Sequence, residues 1–334
     1  MRPAKHHAPD EDFLPLDVST LRLDVTTKFA LYMKRGDAKP VLYRGKNTQF
    51  TSDVLDNLRR NNVTYLYVSA EDSDEYHEYL TENFSDMLED PTVPLETKCE
   101  LGYEATSRVI EDAFEAEPDP EKLANTTEKI IGPLAKTLIG SGEAVKKFVS
   151  LTSQDDVVYK KSLNMFMLGI LLVRKMLGIR DNKQLTEIGL GFLFCDLAMT
   201  KWPTEILRRR GALLPEEWEV VKRHPEKALE LLQEYPLSEE ARIIIAQHHE
   251  RSDGSGYPKG LKGDEIHVLA KIAALVETFA ALNSNRPFAN QRKTFDALSL
   301  IKDEMINHVG MDLFAHFVQI FSVGNPLQKL RGPS

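Results

Sequence analysis

The spacing of apolar residues changes once along this chain, and that change divides it into two dissimilar parts. Before residue 70 the apolar side chains alternate, in FALYMKR (29–35), PVLYRGK (40–46) and VTYLYVS (63–69). These runs are rich in Val, Tyr and Leu at period two, the pattern of strands. Between the last two, TSDVLDNLRRNN (51–62) predicts a short amphipathic helix, capped by Thr51 or Ser52 and closed at Asn61 and Asn62. Beyond an acidic helix-like run, Glu75 to Asp90, and a linker at LEDPTVP, the spacing becomes helical and stays so. Helix-period segments follow at 96–116, 124–141, 157–179 and 183–199, then in PEEWEVVKRH, PEKALELLQEY and SEEARIIIAQHHE and in the run from Glu265 to Asn283. In the 157–179 segment Leu163, Phe166, Met167, Ile170, Leu171 and Met176 predict a broad buried face, its methionines read as core filling. The expected class is α+β: a disordered start (1–12), a small α/β module (13–90), a helical connector (91–150) and an all-α bundle (151–334). The module has no acidic pair after a first strand, as a phosphoacceptor receiver would need, and reads as regulatory or packing.

Composition narrows the function. At 334 residues, 42% hydrophobic, the chain can bury about two cores. No apolar run approaches the ~18 residues of a membrane span, and the first thirty residues hold no apolar signal core, so a cytoplasmic protein is expected. Cys99 and Cys195 form no CxxC pair, which argues against a disulfide framework or a zinc ribbon. A net charge of −9 argues against a nucleic-acid surface. A small phosphorylated ligand needs only a local pocket of cations or metal, and stays compatible with that charge.

Three motifs carry the most chemistry: PEEWEVVKRHPEKALELL, then HHERSDGSGYPKGLKGDEI, then a helix ending in LNSNRPF. In this order and spacing they resemble the HD-GYP family, a branch of the HD-domain metal-dependent phosphohydrolases that hydrolyse the bacterial second messenger cyclic di-GMP. The resemblance runs from about Asp155 to Ala315 and makes the all-α part an HD-GYP helical bundle. Its name-giving His-Asp pair falls on FLFCDLAM, where Asp196 is kept and the histidine is Cys195. An aspartate in so apolar a helix is costly unless its charge is paired or bound to metal.

The resemblance implies a metal position made by Asp196, His224, His248 and His249, three imidazoles and a carboxylate suited to Fe, Mn or Zn. Asp196 is the residue it implies for catalysis. The second metal position is altered: its ligands align with Lys161, Cys195, Asp196 and Glu277. Cys195, flanked by Leu193, Phe194 and Leu197, reads as a small hydrophobe or as a thiolate ligand, and Glu277 as a carboxylate ligand with one methylene more than aspartate. Lys161 either lies on a solvated face or points inward, where its ammonium would meet Asp196 and Glu277 in place of a dication. One ion rather than two is therefore expected. The family's phosphate-contacting lysine aligns with Met199, and a second basic position with Ala289. Tyr257, Lys259 and Lys262 of the glycine-containing loop and Arg286 beyond it are implied to face the ligand. The loop is also implied to meet a diguanylate cyclase or another signalling protein, and homodimerisation is left open. The leading reading is a degenerate member in cyclic di-GMP signalling, binding metal and cyclic di-GMP with weak or no hydrolysis. A working phosphodiesterase giving pGpG or GMP and a non-catalytic scaffold like the related HDOD domains are the alternatives.

Overall fold

The computed structural model describes residues 12–23, 25–34, 39–115, 129–138, 141–152, 158–202, 213–283 and 292–322. The chain divides into two compact units, Met1–Leu101 and Gly102–Ser334.

The first unit carries β1 (Phe13–Asp17), β2 (Thr26–Thr27), β3 (Leu31–Met33), β4 (Val41–Arg44), β5 (Thr48–Gln49) and β6 (Tyr65–Ser69). Helix α1 (Ser52–Arg60) precedes β6, and α2 (Ser73–Glu89) follows it. The main sheet has the order β1-β6-β3-β4 with antiparallel pairings, and β2 pairs with β5. The three alternating runs supply β3, β4 and β6. Strand β1 is not apparent in the sequence because Pro15 interrupts it; it lies at the sheet edge, where a missing N–H is tolerated. Along β6, Leu66 and Val68 are fully buried while Tyr65, Tyr67 and Ser69 alternate onto the other face. The buried side joins Leu55 and Leu58 of α1 with Tyr76, Tyr79, Leu80 and Phe84 of α2 in the core. Phe29 meets Tyr76 and Tyr79 edge to face at 5.4 and 5.5 Å. Arg22 ties this core to the end of α2 through Asp90, whose carboxylate also accepts the Thr92 N–H and hydroxyl.

Helix α3 (Leu95–Glu115) starts in the first unit and ends in the second. The second unit continues with α4 (129–138), α5 (Gly142–Thr152), α6 (Val158–Leu177), α7 (Asn182–Phe194), α8 (Pro215–Val221) and α9 (His224–Leu231). After these come α10 (Glu239–Gln247), α11 (Val268–Leu282), α12 (Thr294–Val309) and α13 (Met311–Ser322). Helix α6 is not the one-sided stripe that its sequence predicts: every residue from Ser162 to Ile170 is buried, since α7 and α11 pack against it, while Leu171 and Met176 are only half-buried. Helices α7 and α10 touch at Gly191, where a Cβ would lie 2.8 Å from the Cα and carbonyl oxygen of Ala241. Helix α11 is apolar almost all round, as a central helix must be. Phe279 packs with Phe317 and Phe321 of α13 at 5.3 and 5.1 Å. No helix among the described residues is long and apolar enough to cross a membrane.

Candidate metal centre

Ends of three helices, the start of a fourth and the interior of a fifth converge on one polar cluster inside this bundle. Helix α7 stops at Phe194, so Asp196 sits in the turn leading to a 3-10 segment, Leu197–Lys201, and not within the helix that the sequence predicts. The reversal lets its carboxylate leave the apolar packing of α7, and the Met199 N–H bonds to its carbonyl at 2.9 Å. His224 opens α9 just before Pro225, a residue suited to a first turn. His248 closes α10, and His249 follows where the helix has ended. That termination allows adjacent imidazoles to serve one pocket, since within a continuing helix they would diverge by about 100°. Their ring centroids are 4.2 Å apart.

One ligand atom from each of Asp196, His224, His248 and His249 lies within 4.8 Å of all the others. His224 Nδ1 donates to the Val221 carbonyl at 2.8 Å and His248 Nδ1 to the Ile245 carbonyl at 2.9 Å. Those bonds leave each Nε2 with a lone pair in the neutral ring. The two Nε2 atoms nonetheless face each other at 2.9 Å, with Asp196 Oδ1 at 3.6 and 4.0 Å from them. Three acceptors aimed at one another call for a cation. A proton on His224 serves poorly, because burial first and His248 second lower its pKa to about 4. Burial also holds His249 well below its usual range, despite the opposing pull of Glu277. A metal therefore fits this donor set, with the backbone bonds orienting two of the imidazoles.

Lys161 approaches the same cluster from the start of α6. Its Nζ lies 2.8 Å from Asp196 Oδ2 and 2.8 Å from Glu277 Oε1, with only 20% of the side chain exposed. Burial alone would lower the lysine pKa; the two carboxylates outweigh it and raise it. Burial would likewise raise both acids, yet Asp196 is held below its ordinary range by Lys161 and the histidines, and Glu277 below its own by His249 and Lys161. The remaining oxygen, Glu277 Oε2, is buried without a hydrogen-bond partner, 3.5 Å from His249 Nδ1. Cys195 is fully buried; its thiol donates to the Phe192 carbonyl at 3.4 Å and lies 3.9 Å from Met165 Sδ. Burial and the nearby Asp196 push the thiol up, which disfavours a thiolate.

The loop after His249 closes over the cluster. Tyr257 stacks on His249 at 4.6 Å and meets Trp218 edge-on at 5.8 Å. A Cβ on Gly256 would fall 2.3 Å from the Arg251 nitrogen, so only glycine fits there. Glu250, just 2% exposed, accepts the Lys259 N–H at 2.7 Å and the Leu261 N–H at 2.8 Å. This loop anchor escapes sequence reading, because a glutamate beside Arg251 and Ser252 has the composition of a solvated turn. Lys259 and Lys262 are exposed, and the Lys262 stem runs beside Gly254. Met199 is half-buried in the 3-10 turn. Arg286 and Ala289 lie outside the described residues.

The geometry defines a class: a helical bundle around a buried histidine-aspartate centre. Residues 172–313 match the family model described as HD domain. A cyclic di-GMP phosphodiesterase of Pseudomonas aeruginosa, PA4108, is 29% identical over 201 residues, 58% of this chain and 47% of that protein. A cyclic di-GMP phosphodiesterase of Thermotoga maritima is 36% identical over 119 residues, 35% of this chain and 32% of the relative. The matched stretches thus span less than half of either relative's length. In fold, the chain is similar to Bd1817, an HDG"Y"P protein from Bdellovibrio bacteriovorus, with a TM-score of 0.63 at 21% identity over 93% of this chain and 100% of that one. The helical unit thus carries an HD domain over residues 172–313.

Proposed function

We propose that this protein is a degenerate HD-GYP member in cyclic di-GMP signalling, holding one transition-metal ion and binding cyclic di-GMP with weak or no hydrolysis. The observation that carries this reading is the Lys161 ammonium, 2.8 Å from both Asp196 and Glu277. A protonated amine has no lone pair for a metal and repels a dication. It pairs with both carboxylates that a second ion would need and so replaces part of that ion's charge. Asp196 Oδ1, His224, His248 and His249 remain to hold one ion of Fe, Mn or Zn. Such an ion would supply Lewis acidity toward phosphoryl oxygens. The two-ion clamp on attacking and leaving oxygens would be missing, and Met199 offers no cation to orient the phosphate. The names of the relatives support a cyclic dinucleotide as ligand. Tyr257 stacked on His249 supplies an aromatic wall beside the centre, with Lys259, Lys262 and Arg286 as candidate ligand contacts.

Calorimetry with cyclic di-GMP, paired with an assay for pGpG and GMP under Mn and Fe(II), tests this. Specific binding with turnover far below about 1 s⁻¹ is expected. Turnover at or above that rate would establish a working enzyme, and absence of binding at millimolar ligand would leave only a scaffold.

A further inference from the structure

The chain has two tryptophans, and both lie beside the histidine centre. The Trp202 ring centroid is 6.1 Å from that of His224, and the Trp218 centroid is 5.8 Å from that of Tyr257. Trp202 is half-buried, whereas Trp218 keeps 42% of its surface exposed. Tryptophan is highly buried on average. In the same unit Phe166, Phe192, Phe194, Phe279 and Phe317 are all buried, so the indole left at the surface does not serve the core. Single exposed apolar residues are common and carry nothing by themselves. Trp218 differs in what it touches.

Its position is fixed by the start of α8. Glu217 Oε2 accepts the Leu214 N–H at 2.8 Å, and the Trp218 N–H donates to the Leu214 carbonyl at 2.9 Å. From there Trp218 meets Tyr257 at 80°, edge to face, and Tyr257 in turn stacks on His249 at 24°. A continuous series of rings therefore runs from a candidate metal ligand out to solvent. Its inner end borders the centre that calls for a cation and would draw phosphoryl oxygens. Its outer end offers the largest π-face of any side chain. A bare phosphate would use only the inner end, and a lipid tail only the outer one. A nucleotide, with a phosphate and a planar base, uses both.

We infer that Trp218 is the platform on which one base of cyclic di-GMP stacks while a phosphate faces the histidine centre. The inference deepens the cyclic di-GMP reading of this site and rests on it. Stacking tolerates every base, so Trp218 contributes affinity for the purine and not the choice of guanine.

Titration of cyclic di-GMP into the metal-loaded full chain by calorimetry, with Trp218 varied, tests it. Trp218→Leu keeps an apolar side chain but removes the π-face, and should weaken binding about fivefold or more. Trp218→Phe keeps a ring and should hold the affinity within about threefold of wild type. Both should carry as much metal as wild type by elemental mass spectrometry, which separates a lost ligand contact from damage to the centre. Trp218 is a surface position, so Trp218→Ala serves the same comparison if Trp218→Leu does not fold. Equal affinity in wild type and Trp218→Leu overturns the inference and leaves the cyclic di-GMP reading standing. That result would assign the exposed Trp218, with Leu214 and Val220 at 46% and 42% exposure, to a protein partner instead. Equal loss in the Leu and Phe variants, or loss accompanied by missing metal, would mark a packing role and also overturn it. A wild-type chain that binds no cyclic di-GMP at millimolar concentration removes the reading itself, and this inference with it.

Discussion

Lys161 illustrates how one side chain can decide the chemistry of a whole site. Its sequence position permitted two opposite orientations, because a lysine stem is long enough to snorkel out of an apolar helix or to reach into it. Position in a motif does not resolve that choice; the ion pairs at 2.8 Å do. The clustering of Asp196, His224, His248 and His249 was legible for the converse reason, since histidines and an aspartate at these spacings have few uses other than one cluster. In metal-free protein, Lys161→Met should cost on the order of 3–5 kcal/mol, the penalty for leaving buried carboxylates unpaired. Denaturant melts check this, and a loss below about 1 kcal/mol would mean that the ion pairs behave as surface pairs. His249→Ala should lose the bound metal while keeping its helical circular dichroism; unchanged metal content would remove His249 from the ligand set.

Elements position the centre through features that composition hides. Gly191 reads as a weak point in α7, yet it is where α10 comes close enough to deliver His248 and His249 beside Asp196. Gly191→Ala should lower stability by about 1–3 kcal/mol, the usual range for overpacking, with a lower Tm. The loop depends on Glu250, whose role arises from burial and could not be read from its neighbours. In Glu250→Gln, exchange of the Lys259 and Leu261 amides should accelerate roughly tenfold or more, consistent with losing hydrogen bonds to a charged acceptor. Amides in the middle of α6 should be unaffected, and equal acceleration there would signal global destabilisation instead. In the first unit, hydrogen bonds from Thr92 and then the Arg22 pair hold Asp90 at about 2, below its ordinary 3.8. The unfolded chain binds the proton first, so this contribution is complete above about pH 4 and fades as pH falls toward 2. The stability difference between wild type and Asp90→Asn should therefore shrink over that window; a constant difference would contradict the Asp90 assignment.

For the whole molecule, the division into a strand-bearing unit and a helical unit was legible because the apolar period changes, as was the likeness of the helical part to HD domains, because three motifs occur in order. The proposed account holds that Lys161, Cys195, Met199 and Glu277 act together to leave a one-ion site. Restoring His, His, Lys and Asp at these positions should give a non-additive gain, with single changes nearly silent and the fourfold variant hydrolysing cyclic di-GMP at least ~100-fold faster. The most direct measurement is the metal content of the purified wild-type chain after loading with Mn or Fe(II), read by elemental mass spectrometry against protein concentration. The account predicts one ion per chain; two ions per chain would show that the Lys161 ammonium does not stand in for a metal.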